Sequence, residues 1–265
     1  MNKVNLLNIA VSTGTYNDFI NSLINSAKQH KSQYTCVANV HMLIEAYKDK
    51  SFSSVIANAD VIAPDGKPLS WALQILYGIN QVRVAGMDLL PDLLSEAIKQ
   101  QLSVYFYGGT NDLLTKTKAH INAHYPLLKA VGFNSPPFRK LTDAENEQII
   151  SDINKSGAGL VFVILGCPKQ EKWMASMLGK INSLMIGVGG ALPVMVGMQK
   201  RAPKWMQNSG LEWVFRLSLE PKRLFKRYAV TNSIFIYLLA KKYISIKFSR
   251  NVDVRAGRSF MSGKL

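Results

Sequence analysis

Residues 160–165 read LVFVIL, six apolar side chains in a row that stop at Gly166-Cys167-Pro168. A run this short and continuous has no face to offer water, so it suits a strand covered on both sides, as in a parallel sheet. The first 190 residues repeat the theme. VNLLNIAV precedes the helical-period stretch YNDFINSLINSAKQH, QYTCVANV precedes HMLIEAYKDKSFSSVIANA, and DVIAPD precedes GKPLSWALQILYG. After MDLLPDLLSEAIKQQ come SVYFYGG, LKAVGFNSP, AGLVFVILGCP and SLMIGVGG, the first three each followed by another helical stretch. This alternation predicts an α/β domain over residues 1–195, a mainly parallel Rossmann-like sheet with helices on both faces.

Ligands of open α/β sheets bind beyond the carboxyl ends of the strands. Polar and glycine residues gather at those predicted ends: Asn39, Asp65-Gly66, Gly108-Gly109, Gly132, Gly166 through Glu171, and Gly187 to Gly190. Glycine there lets backbone N–H groups approach a phosphate closely. Gly108, Gly109, Gly166, Gly187 and Gly189 are therefore expected to bind a nucleotide, although any one of them alone reads equally well as a turn. GxGxxG and GxxxxGK[ST] are absent, which disfavours the usual dinucleotide and P-loop sites.

Charge divides the chain. Residues 1–199 carry 17 Lys and Arg against 14 Asp and Glu, whereas residues 200–265 carry 15 against 3. Most of the net +15 thus sits in the last quarter, which calls for an anionic partner. Trp205, Trp213, Phe215, Leu217, Leu224 and Phe225 alternate with cations there, a pattern suited to a membrane interface. Residues 196–250 are read as a basic, amphipathic, helical, membrane-associating appendage, and 251–265 as a disordered tail. Tyr228–Ala240 lies between Arg227 and Lys241 and is too short to cross a bilayer. The uncharged stretch 181–199 is broken by four glycines and a proline, so strand, turn and short helix explain it better than a span. MNKVNLLNIAVSTG lacks a basic region before a sustained apolar run, so no cleaved leader is expected. Cys36 and Cys167 show no CxxC or zinc spacing and read as reduced cytosolic thiols.

Few residues offer chemistry. Asp65, before a glycine at a strand end, reads as an ordinary turn or as a carboxylate able to deprotonate a hydroxyl. Arg83 reads as a surface ion pair or as a diphosphate clamp. Gln170 starts a helix beside Glu171 and has an amide to offer a ligand. His120 and His124 share a helix face, but no HExxH accompanies them and a solvated helix is expected. With no DxD and no GxSxG, neither a metal, a cofactor nor a serine nucleophile is called for.

ANVHML, ADVIAPDG, RVAGMDLL, YFYGG, GFNSPPF, LGCPKQEKW, the GVGG segment and RAPKWMQNSGLEWVFRLSLEPKRLFKRY occur in that order over residues 35–228. Together they closely resemble the WecG/TagA/CpsF family of bacterial glycosyltransferases. The resemblance implies an inverting hexosyltransferase of cell-surface polysaccharide synthesis, and the missing DxD makes it an expected metal-independent one. Its donor would be a UDP-sugar, with N-acetylmannosaminyl or a related group transferred. Its acceptor would be a polyprenyl-diphosphate-linked sugar, met by a peripheral protein on the cytoplasmic face of the membrane. By the same resemblance Asp65 is the general base, Asn39, Arg83 and Gln170 are active-site polar residues, and Arg216, Arg223 and Lys226 reach the diphosphate. The chain departs from the family at Val37, where Thr is frequent, at Lys226, where Arg is frequent, and at Leu192-Pro193, where Phe-Asp is common.

Two other readings compete. A nucleic-acid-binding protein would use the basic tail on phosphates, but has no need of the bulky aliphatics in LEWVFRL and IFIYLL. A nucleotide-binding module without chemistry would not require Asp65 and Gln170 at one sheet edge. Nucleic acid is accordingly not an expected partner. Self-association into a homo-oligomer is left open.

Overall fold

The structure, a computed structural model, describes the backbone of residues 1–261 and the side chains of residues 1–248. The chain opens with a hairpin, β1 (Asn2–Leu6) and β2 (Ile9–Thr13), followed by α1 (Tyr16–Lys28) and β3 (Gln33–Ala38). Next come α2 (Val40–Lys48), α3 (Lys50–Ala57), β4 (Val61–Pro64), α4 (Lys67–Tyr77) and α5 (Gly86–Lys99). β5 (Ser103–Gly108), α6 (Asn111–His124), β6 (Lys129–Asn134), α7 (Asp143–Lys155), β7 (Leu160–Ile164), α8 (Lys169–Ser176) and β8 (Leu184–Gly187) complete the α/β region. α9 (Ala191–Met195), α10 (Lys204–Asn208), α11 (Glu212–Leu219) and α12 (Pro221–Met261) follow.

Six strands form one sheet in the order β4-β3-β8-β7-β5-β6. All its pairs are parallel. Side chains alternate between two cores, as a pleated strand requires. Along β7, Val161 and Val163 enter one core with helices α2, α4 and α8, while Leu160, Phe162 and Ile164 enter the other with α1, α5 and α6. The expected parallel α/β sheet with helices on both faces is what the chain forms.

Local expectations change in three places. VNLLNIAV is two antiparallel strands outside the main sheet, turned at Leu7 with φ of 59°. The hairpin lies along the edge strand β4, where Ser12 Oγ accepts from Ile62 N at 3.0 Å. The helical stretch after β3 breaks at Asp49, whose carboxylate caps α3 by accepting from Ser51 N and Phe52 N. Gly132 lies inside β6 rather than at its end. A Cβ there would fall 2.0 Å from the Tyr105 ring, beside a register shift in the β5–β6 pairing.

The basic segment is less separate than its charge suggests. α12 packs on α2 and α4, and Phe235 and Leu238 are buried in the same core as those helices. Leu224 is also buried. A buried side chain of this size contributes about 1.5–3 kcal/mol, so these residues fasten the helix to the core and are not free for a membrane. Of the 251–265 tail expected to be disordered, residues 251–261 continue the backbone of α12, and 262–265 lie outside the described residues. Stretch 181–199 is β8, a glycine turn and α9, and among the described residues no helix is long and apolar enough to cross a membrane.

Candidate active site

Four adjacent strands, β4, β3, β8 and β7, bring their carboxyl ends to one place. Asp65 follows β4, Asn39 follows β3, Gly187 closes β8 with Gly189 beyond it, and Gly166 follows β7. They line a cleft of about 530 Å³ together with Arg216, Arg223 and Arg227. A smaller chamber of about 110 Å³ shares Asn39 and Asp65 and runs between α4 and the α11–α12 pair, past Arg83, Trp213 and Tyr228. Asp65 stands where the two spaces meet.

Backbone contacts fix Asp65. Its N–H donates to Ala38 O at 2.7 Å, tying the end of β4 to that of β3, and Val84 N donates to Pro64 O at 2.8 Å. Gly66 then turns at φ of 90°, a conformation that favours glycine, and α4 begins with Pro68 in its first turn. The carboxylate is half-buried and has no hydrogen-bond partner among the described residues. Burial pushes its pKa up to about 7, and the Glu212 carboxylate adds to that, against the pull of Arg83 and Arg216.

Asn39 caps α2 by accepting from Met42 N at 3.2 Å, which leaves its amide N–H groups for the cleft. Gln170 is buried and spoken for: Oε1 accepts from Gly166 N at 3.1 Å and Nε2 donates to Glu171 Oε1 at 2.7 Å. It shapes the Gly166 turn from within. Gly187 makes room for that amide, since a Cβ on it would lie 2.7 Å from Gln170 Nε2. Glu171 is fully buried, and burial raises its pKa.

The arginines sort into two kinds. Arg83 is held by Asp88 at 2.8 Å and Glu212 at 3.0 Å, with Gln207 Oε1 at 3.3 Å. Arg216 and Arg227 have no carboxylate within ion-pair distance among the described residues. Arg227 is half-buried, its Nε lacks a partner, and burial lowers its pKa, with Arg216 and Arg223 adding repulsion. Arg223 pairs with Glu220 at the exposed rim.

Lys226 is exposed and lines neither space. Arg227, one residue on, faces the cleft instead, and sequence reasoning missed it. Its signal was available, because Arg223 and Arg227 are four apart and share a helix face. Gly108 and Gly109 also lie outside the cleft lining. Cβ atoms there would fall 2.6 Å from Ile164 O and 2.8 Å from the Leu113 side chain, so close packing accounts for both glycines. Among the described residues no three His, Cys, Asp or Glu side chains gather as a metal site would need. His120 and His124 stack on each other on α6.

Residues 4–248 match the Glycosyl transferase WecG/TagA/CpsF family. The chain is also similar to the N-acetylglucosaminyldiphosphoundecaprenol N-acetyl-beta-D-mannosaminyltransferase of Bacillus subtilis (strain 168). Identity is 31% over 199 residues, which cover 73% of this chain and 76% of that protein.

Proposed function

Because the chain belongs to the WecG/TagA/CpsF family of glycosyl transferases, we propose that it moves a hexosyl group from a UDP-sugar to a polyprenyl-diphosphate-linked sugar, with inversion. The observation that carries this reading is Asp65, an unpartnered carboxylate set between a glycine-lined cleft and a group of arginines. Ionised Asp65 takes the proton of an acceptor hydroxyl as its oxygen attacks the anomeric carbon, and the bond from that carbon to the UDP oxygen breaks. The departing diphosphate carries negative charge that Arg216, Arg227 and Arg223, with backbone N–H groups of the glycine turns, are suited to stabilise. Gly166 and Gly189 support a nucleotide on the cleft side, which leaves the chamber beside α4 and α12 for the acceptor. The acceptor class is that named for the B. subtilis relative.

Membrane attachment belongs to the same proposal. Trp205, Phe225 and Ile236 are exposed by more than half on a strongly basic segment. That combination suits a peripheral protein on an anionic inner leaflet, where a lipid-linked acceptor would be met.

Transfer is expected to proceed without a divalent metal. The test is a screen of UDP-sugars against a short-chain lipid-diphosphate sugar, reading UDP release in excess EDTA. Release that needs both substrates and is unchanged by EDTA is the expected result. Activity lost in EDTA and restored by magnesium or manganese would overturn metal independence, and no release from any UDP-sugar would overturn the donor class.

A further inference from the structure

Arg83 reaches the wall of the smaller chamber already engaged, and its partners come from two parts of the chain. Asp88 belongs to α5 of the α/β core, while Glu212 and Gln207 belong to the segment that follows it. Asp88 in turn takes Arg201 on its other oxygen. The core thus presents one cation and one anion, and the basic segment meets each with the opposite charge. The Arg83–Glu212 pair is mostly shielded, with side-chain exposures of 13% and 20%.

α11 has little else to seat it. No residue of α11 is buried, and it packs on α10 and α12. A helix in a protein is normally held by its apolar face, and here Phe215 and Leu217 are only partly buried, so that hold is weak. Yet α11 carries Arg216, one turn beyond Glu212 and on the same face. Arg216 Nη2 lies 3.1 Å from where a Cβ on Gly190 would be, so the glycine turn gives the guanidinium its room.

We propose that Glu212 is a positioning residue for transfer: paired to Arg83, it seats α11 on the core and thereby holds Arg216 at the Gly189–Gly190 turn, over Asp65. This rests on reading the cleft as the transfer site. It also assigns Arg83 a docking role, since its charge is already met by two carboxylates. The Glu212 charge has a second effect. Asp65 is faced by Glu212 and Arg216 from α11, Arg83 from the loop before α5, and Asp88 from α5. Lys67 of α4, Arg227 of α12 and His41 of α2 border the same chamber, His41 being kept neutral mainly by burial. Among these groups Glu212 contributes most to keeping Asp65 protonated, so neutralising it lets Asp65 ionise at lower pH.

The test compares Glu212→Gln with Glu212→Ala in the full chain. Gln keeps an acceptor for Arg83 without the charge, and Ala removes both. Amide hydrogen exchange over residues 212–219, read with no substrate present, should quicken strongly in the Ala variant and little in the Gln variant. The acid limb of the kcat/KM profile should move to lower pH in both. Turnover should fall about tenfold or more in the Ala variant and less in the Gln variant, as loss of a charge-assisted contact implies. Unchanged exchange in Glu212→Ala, or an acid limb that moves in neither variant, would overturn the proposal. If the Ala variant fails to fold, the limb of the Gln variant decides. Because exchange is read without substrate, a wrong assignment of the donor would leave that arm intact.

Discussion

Asp65→Asn is expected to cut turnover by about a hundredfold or more, with UDP binding and fold preserved. Asn keeps the shape of the side chain at the junction of cleft and chamber but cannot accept a proton. In the wild-type protein kcat/KM should rise with pH through about 7, where burial and Glu212 place the ionisation of Asp65. The same shift has a stability consequence of definite sign. In the unfolded chain the carboxyl ionises near its ordinary value of 3.8, whereas the folded chain keeps the proton up to about 7. The native state holds a proton that the unfolded state has released, so stability is lost as pH rises across that interval. Asp65→Asn should therefore melt above the wild type at pH 8, with the two converging near pH 4. A loss of function joined to a gain of stability separates a base from a structural residue. Normal turnover of the variant at saturating acceptor would remove Asp65 from the mechanism.

Arg216→Ala and Arg227→Ala are each expected to lower kcat/KM by about ten- to a hundredfold, in line with about 1.5–3 kcal/mol for a hydrogen bond to a charged group. Lys226→Ala should stay within about twofold on a soluble acceptor, because its side chain is exposed and outside both spaces. Arg227 makes the sharper contrast. Its guanidinium is half-buried with an unpartnered Nε, and burial disfavours its charge, so the alanine variant should not melt lower for want of that charge. Steady-state kinetics beside thermal melts check this. A larger loss from Lys226→Ala than from Arg227→Ala would place the diphosphate along a different face of α12.

The contrast between 226 and 227 shows where sequence reasoning stopped. Lys226 is the position that the family resemblance implies, but a helix sorts its residues by a 3.6-residue period, and Arg223 with Arg227 obeys it. Asn39, Asp65, Gly166 and Gly187 were legible as strand ends, since apolar runs and the residues closing them are local features. Their meeting in one cleft was not, because it depends on β8 inserting between β3 and β7, an order set by long-range packing. Gly108 and Gly109 looked like ligand glycines because recurrence after a strand does not reveal what the missing side chain would have struck. The hairpin at Leu7 was hidden for the opposite reason, as its turn carries no glycine at the positive-φ position. Arg83 reads in the sequence as an ion pair or as a diphosphate clamp. Only the fold shows that Glu212, 129 residues later, reaches it.

The proposed single base and direct displacement would fix the stereochemistry of the product. The decisive measurement is the one-bond carbon–proton coupling at the new anomeric carbon of the isolated disaccharide lipid, made from an α-linked UDP-sugar. Attack by an acceptor hydroxyl deprotonated by Asp65, on the face opposite the departing diphosphate, gives the β-linkage. An α-linkage would mean net retention, by two displacements or by attack on the same face as the departing diphosphate, and would contradict Asp65 acting as the base of an inverting transfer.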